Sequence, residues 1–322
     1  MPRITTAAIS VLIMVIIASA CGADTDAASS PDTAAIATPG LPYTYLGPDG
    51  VASTIDSAAR IVTLSGEFSE IVWELGLGEN LVGVDLSSDF PAAEMRIKPK
   101  VGVEFRLFAE PILALDPTVV IGDIDAQPPD VIEQVRAAGV PVAILPRLVG
   151  VDAPAEKIRL VSEILGVVAV GEEVALLVQQ QIDAALAPVA RADSRPRVAV
   201  VYIATQDQVL LLGSKTVFEG LLEAVGAQDV GPSAGFEGFV PLTAEAIAAA
   251  APDVIITARR GFEDRGGLEG FVELPGIAQT PAGAAGRVLV YNDSLLLTLG
   301  PRTGQILEMI VADLHPELAS SQ

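Results

Sequence analysis

The 322-residue chain predicts an α/β protein of two Rossmann-like lobes, each built on a parallel sheet and joined by a single long backbone helix. Three observations predict this. First, Leu107–Ile121 and Leu242–Ile256 match without a gap at a constant offset of 135 residues. Leu107 pairs with Leu242, Ala109 with Ala244, Glu110 with Glu245, Ile112 with Ile247 and Pro117 with Pro252. A long period seen twice marks two domain-sized copies rather than a solenoid of many short units. Second, β-branched runs alternate with helical patterns in both halves, the signature of parallel sheets covered on both faces. Third, Val174, Leu177, Val178, Gln181, Ile182 and Leu186 recur at helical spacing between the copies. A helix from Glu172 to Ala190 would run about 30 Å at 1.5 Å per residue, long enough to bridge two lobes.

Residues 1–20 read as an export signal, with Arg3 ahead of the apolar core Val11–Ile17. Ala18, Ser19 and Ala20 lead to Cys21 in a pattern similar to a bacterial lipobox. Cys21 is the only cysteine, so no internal disulfide can form, and the reading it supports is lipidation. Diacylation there would anchor the mature chain outside the cytoplasmic membrane of a bacterial cell. Residues 21–57 are rich in Ala, Ser, Thr, Asp, Pro and Gly and read as a flexible tether, with Tyr43–Tyr45 starting a short strand.

The N-terminal lobe is assigned to residues 58–168. Arg60–Leu64 is a strand, Ser65 with Glu67 and Glu70 opens a helix, and Gly76 or Gly78 closes it. Leu81–Val84 is a strand, Pro111–Leu115 a helix, Val119–Ile121 a buried strand, and Pro129–Ala138 a helix before the strand Val142–Leu145. Pro154–Leu165 is helical and leads into the connecting helix, assigned to residues 169–193. The C-terminal lobe, residues 194–322, begins with the strand Arg197–Tyr202. Val217–Val225 reads as a helix, Val254–Thr257 as a strand, 261–286 as a Gly-rich stretch, Arg287–Tyr291 as a strand and Pro301–Leu314 as a helix.

Half of the chain, 51%, is hydrophobic, so each lobe can build a core. A net charge of −22 argues against nucleic acid, whose phosphates would be repelled. The single histidine, His315, reads as a solvated terminal residue. Without a second His or Cys there is no Cys–His pair, Ser–His–Asp set or zinc ligand cluster, and no Walker loop is present. The chain is therefore read as a binding protein with no catalytic cofactor, not an enzyme.

These features resemble the metal-chelate substrate-binding proteins of ABC importers, whose two lobes are joined by one helix. Within that class the chain is most similar to the haem-binding branch. Arg60–Ser65 with Ser69–Val72, Pro99–Gly102, Leu107–Leu113, Pro128–Pro141, Gly261–Gly267 with Leu274–Gly276, and Leu299–Thr303 carry the resemblance. It implies capture of haem or a related iron chelate between the lobes. It also implies delivery to a permease dimer and its ATPase, with Glu110 and Glu245 docking one lobe on each subunit. Tyr202 matches a second-lobe tyrosine that ligates haem iron in relatives. Val103 stands where others carry a first-lobe tyrosine, Ala204 stands where an arginine supports the phenolate, and the first lobe has no histidine. Phe105, Arg106 and Glu104, with Phe236, Phe239, Arg259 and Arg260, are further cleft candidates. Flat aromatic walls suit a porphyrin and arginines suit its propionates. Arg302 lies at a helix start, where a structural role is expected. A siderophore or cobalamin is the alternative cargo, and a surface receptor or sensor the alternative role.

Overall fold

The computed structural model describes residues 40–319; Cys21 and the segment expected to be a signal lie outside the described residues. The described chain opens with an antiparallel hairpin of β1 (Tyr43–Leu46) and β2 (Ala52–Ile55). Tyr45 and Ile55 turn inward and are buried. The Tyr45 hydroxyl donates to the Ile144 carbonyl at 3.1 Å and the Ser53 hydroxyl to the Val142 carbonyl at 2.8 Å. The end of the stretch expected to be tether is thus ordered against the first lobe.

Next come β3 (Ile61–Thr63) and β4 (Leu81–Gly83), a short hairpin of β5 (Gly102–Val103) and β6 (Arg106–Leu107), then β7 (Val119–Asp123) and β8 (Val142–Leu145). Four of these form a wholly parallel sheet in the order β4-β3-β7-β8. Every residue of β3, β7 and β8 is buried, as expected for strands covered on both faces.

The second lobe contains β9 (Arg197–Ile203), β10 (Val209–Leu212), β11 (Gln228–Asp229), β12 (Phe239–Pro241), β13 (Val254–Ala258) and β14 (Val288–Tyr291). Its sheet runs β12-β10-β9-β13-β14, with β11 paired to the start of β9. The expected parallel pattern holds for β9, β13 and β14, whereas β10 and β12 make an antiparallel edge. Five residues, Ala204–Gln208, separate β9 from β10. That is too short for a crossover and closes as a hairpin, with the Ala204 amide bonded to the Gln208 carbonyl at 3.0 Å.

The backbone helix spans Val168–Leu186, starting four residues before Glu172, and continues as a tighter turn through Arg191. Its buried positions Ala175, Val178, Ile182 and Ala185 face the helices Ala153–Ile164 of the first lobe and Thr303–Leu314 of the second. Glycines permit the approach. A Cβ at Gly171 would lie 2.0 Å from Ser162 Oγ, and one at Gly304 would lie 2.8 Å from Gln181 Cβ. One apolar core runs from lobe to lobe through this helix, taking in Ile158, Val178, Ile182, Ile306 and Ile310.

Other expectations are corrected. The helix expected over 217–225 shortens to Leu221–Ala224. The Gly-rich stretch 261–286 holds the end of helix Arg259–Asp264, then the helices Gly267–Val272 and Pro281–Ala285 and a short turn at Ile277–Gln279. Left-handed glycines at Gly266, Gly276 and Gly286 separate these pieces. His315 is fully buried rather than solvated, with Nε2 2.8 Å from the Val225 carbonyl.

Candidate functional site: the seam between the lobes

Ligands of open parallel sheets gather at the carboxyl ends of the strands. In the first lobe, β3 leads through Ser65 into the helix Gly66–Val72, β4 leads to Asp85, and β7 ends at Asp123. In the second, β9 carries Tyr202 near its end, β13 leads into Arg259 and Arg260, and β14 leads into Asp293. Direct bonds turn these two edges toward each other. Glu67 Oε2 accepts the Leu299 amide of the second lobe at 3.3 Å and the Lys157 ammonium at 2.8 Å. Arg302 Nε donates to Glu70 Oε2 at 3.0 Å, and its Nη2 bonds Glu70 Oε1 as the second prong. The same guanidinium lies over the Phe90 ring at 4.1 Å, with Asp89 Oδ1 at 3.9 Å. Arg302 was expected to be structural, and here it holds the lobes together.

The first-lobe side of the seam is acidic. Glu104 occupies the turn between β5 and β6. Its carboxyl is pushed up to about 10 by burial, then by the negative charges of Asp123 and Glu67. Asp123 is pushed up to about 6 by burial and by the charge of Glu67, against a hydrogen bond from the Asp125 amide. Burial also raises Asp85, although hydrogen bonds from Ser87 oppose it. The pair Glu104 and Asp123 therefore keeps at least one proton at neutral pH. Beside this floor stand exposed aromatics. Phe105 is 76% exposed and Phe108 51%, and the Arg106 guanidinium sits 6.0 Å from the Phe108 ring centroid. Exposed rings at one edge are the usual mark of a contact surface.

On the second-lobe side, Tyr202 is half-buried and meets Phe239 edge-on, with centroids 6.4 Å apart and planes at 69°. Phe239 itself is 53% exposed. Burial raises the Tyr202 phenol, the charge of Arg260 lowers it, and Asp293 raises it again. Arg260 is pinned by Asp293, which accepts its backbone amide at 2.9 Å and its Nε at 3.2 Å. Arg259 lies 3.6 Å from Glu263 on its own helix. Both arginines are thus matched with carboxylates of their own lobe, whereas Arg106 stacks on Phe108. Phe236 packs against the second-lobe core rather than standing on the wall.

Glu110 and Glu245 are both exposed, each in the first turn of a short helix, Ala109–Leu113 and Ala244–Ala250. Thr243 Oγ1 caps the second helix by accepting the Ala246 amide at 3.1 Å. Sequence reasoning missed Asp85 and Asp123 as part of the seam. It read Glu67 and Glu70 only as helix-start residues, although their spacing of three places both on one helical face. Among the described residues no group of His, Cys, Asp and Glu is arranged to hold a metal ion, and no helix is long and apolar enough to cross a membrane.

Comparison with known proteins bears on this geometry. A family model described as periplasmic binding protein matches residues 61–295. The apo periplasmic heme-binding protein RhuT from Roseiflexus sp. RS-1 superposes with a TM-score of 0.77 at 40% identity, covering 80% of this chain and 98% of that one. A cobalamin-binding protein of Halobacterium salinarum is 27% identical over 221 residues, 67% of this chain and 58% of the relative's length. YvrC of Bacillus subtilis (strain 168), described as an uncharacterized ABC transporter substrate-binding lipoprotein, is 23% identical over 80% of each chain. The matched span covers both sheets and the helix that joins them, and the chain belongs to the periplasmic binding protein family.

Proposed function

We propose that this chain is an extracytoplasmic substrate-binding protein that captures haem, or a related planar iron chelate, in the seam and passes it to an ABC permease and its ATPase. The observation that carries the reading is Tyr202, a half-buried phenol at the carboxyl edge of the second lobe with Phe239 set against it. A tyrosine oxygen alone among protein ligands can hold haem iron, so ligation by Tyr202 needs no partner at Val103 or Ala204. Phe105, Phe108 and Phe239 supply ring faces for a flat cargo. Arg106, next to Phe105, and Arg259 and Arg260, at the carboxyl end of β13, are the cations that would meet its carboxylates. The likeness to RhuT supports haem as cargo, and the likeness to YvrC supports an ABC partner and a lipid anchor at Cys21 after removal of residues 1–20.

A corrinoid is the second reading. The acidic floor of Asp85, Glu104 and Asp123 is a poor neighbour for propionates, and a cobalamin-binding relative matches two thirds of the chain. One titration separates the two. Haemin added to purified protein should shift the Soret band and give charge-transfer bands of a phenolate-ligated iron, and Tyr202→Phe should abolish them. Unchanged bands in the variant would remove Tyr202 as ligand. Displacement of haemin by an equimolar corrinoid would favour the second reading.

A further inference from the structure

We infer that Glu67 and Glu70 form an interlobe clamp that sets the width of the seam before any ligand arrives and must break for the lobes to part. The clamp is independent of which chelate is carried. The backbone helix Val168–Leu186 ties the lobes at one place, because it packs on a helix from each. A single tie leaves the lobes free to twist and rock about it. The helix Gly66–Val72 supplies a second tie across the seam. Glu70 grips Arg302 with both carboxylate oxygens, and Glu67 holds the Leu299 amide while Lys157 balances its charge.

These bonds are sheltered. The Glu70 side chain is 3% exposed and Arg302 19%, and the Phe90 ring covers the guanidinium. Two-pronged, charge-assisted pairs out of water are directional, so they fix orientation as well as distance. The helix that bears them is itself fixed. The Ser69 hydroxyl bonds Thr63 and Ser88, each at 2.7 Å, and the Gly66 amide bonds the Ser87 hydroxyl at 3.0 Å. With two ties in place, the rigid-body freedom left is rotation about the line joining them. The seam then has a preset resting width, and release of cargo requires the clamp to open.

The chain contains one tryptophan, Trp73, directly after the clamp helix and half-buried against the first-lobe core. It reports on the clamp without a label. The test uses unliganded protein, so it stands apart from the identity of the cargo. In Glu70→Gln, exchange of the Leu299 amide should rise at least tenfold and Trp73 emission should shift to the red. Amides of β7 and β13 should stay as protected as in the parent. Arg302→Lys keeps the charge but loses the second prong, and should give the same local pattern at smaller size. This second variant decides the matter should Glu70→Gln not fold. Unchanged Leu299 exchange in either folded variant would overturn the clamp, and so would a rise shared equally by β7 and β13.

Discussion

Asp123 should make the protein lose stability as pH rises from 4 to 7, and Asp123→Asn should remove that loss. Its carboxyl is displaced from the ordinary 3.8 to about 6, chiefly by burial. A displacement of about 2 units corresponds to roughly 3 kcal/mol between the two protonation states. The folded protein holds this proton more tightly than the unfolded chain. The stabilisation is therefore complete below about pH 3.8 and lost as pH passes about 6. Near pH 5 the folded state binds nearly one proton more at this site, so the slope is about −1 kcal/mol per pH unit. Asparagine keeps an oxygen for the Asp125 amide, 2.8 Å away in the parent, and has no proton to lose. Glu104, pushed up to about 10, stays neutral in the folded protein across the window and ionises in the unfolded chain, so it adds its own fall to parent and variant alike. Asp229, pushed up to about 7 by burial, adds a similar fall to parent and variant alike and cancels in their difference. Urea unfolding followed by circular dichroism at pH 4, 5, 6 and 7 gives that difference. Asp123→Asn should gain on the parent by about 2.4 kcal/mol between pH 4 and pH 7. A difference that does not change with pH would refute the buried, proton-holding carboxyl.

Two further outcomes follow from the packing and from the duplicated helix starts. Gly304→Ala should destabilise by about 1–2 kcal/mol in urea, because overpacking outweighs the gain in helix propensity. Its new Cβ would meet Gln181 Cβ at 2.8 Å, and a stabilised variant would show that the helices part freely. Replacing Glu110 and Glu245 together by Ala should leave haemin affinity within about twofold, since exposed first-turn carboxylates contribute little to the fold, yet abolish stimulation of the cognate ATPase in vesicles. Retained stimulation would remove both as docking residues.

The first lobe was legible because its order is local. Buried β-branched runs and helical stripes alternate within a few residues, and β3, β7, β8 and the helix Pro129–Ala137 fall close to where the pattern puts them. The repeat likewise located two exposed glutamates at equivalent helix starts. What the sequence hid depends on residues far apart in the chain. Glu70 and Arg302 are separated by 232 positions, and neither spacing nor composition links them. The β9–β10 hairpin was missed because Val209–Leu212 reads equally well as any short apolar run until its partner strand is known. In 261–286 the frequency of glycine suggested loop, whereas the glycines only punctuate short helices. His315 was misjudged from its nearness to the chain end, although the last turn of an amphipathic helix carries its neighbours inward. Asp123 lies just beyond the strand expected at Val119–Ile121, and its place in the seam depends on the distant turn that bears Glu104.

The antiparallel edge of the second lobe has no counterpart in the first. One jaw therefore offers a phenol on a hairpin strand with a ring set edge-on against it, and the other offers a buried pair of acids that keeps at least one proton, beside two exposed phenylalanines. Two matching jaws would accept a flat guest either way up. Under the proposed function, unlike jaws would distinguish its two faces, and a guest with chemically different sides would reach the permease in one pose.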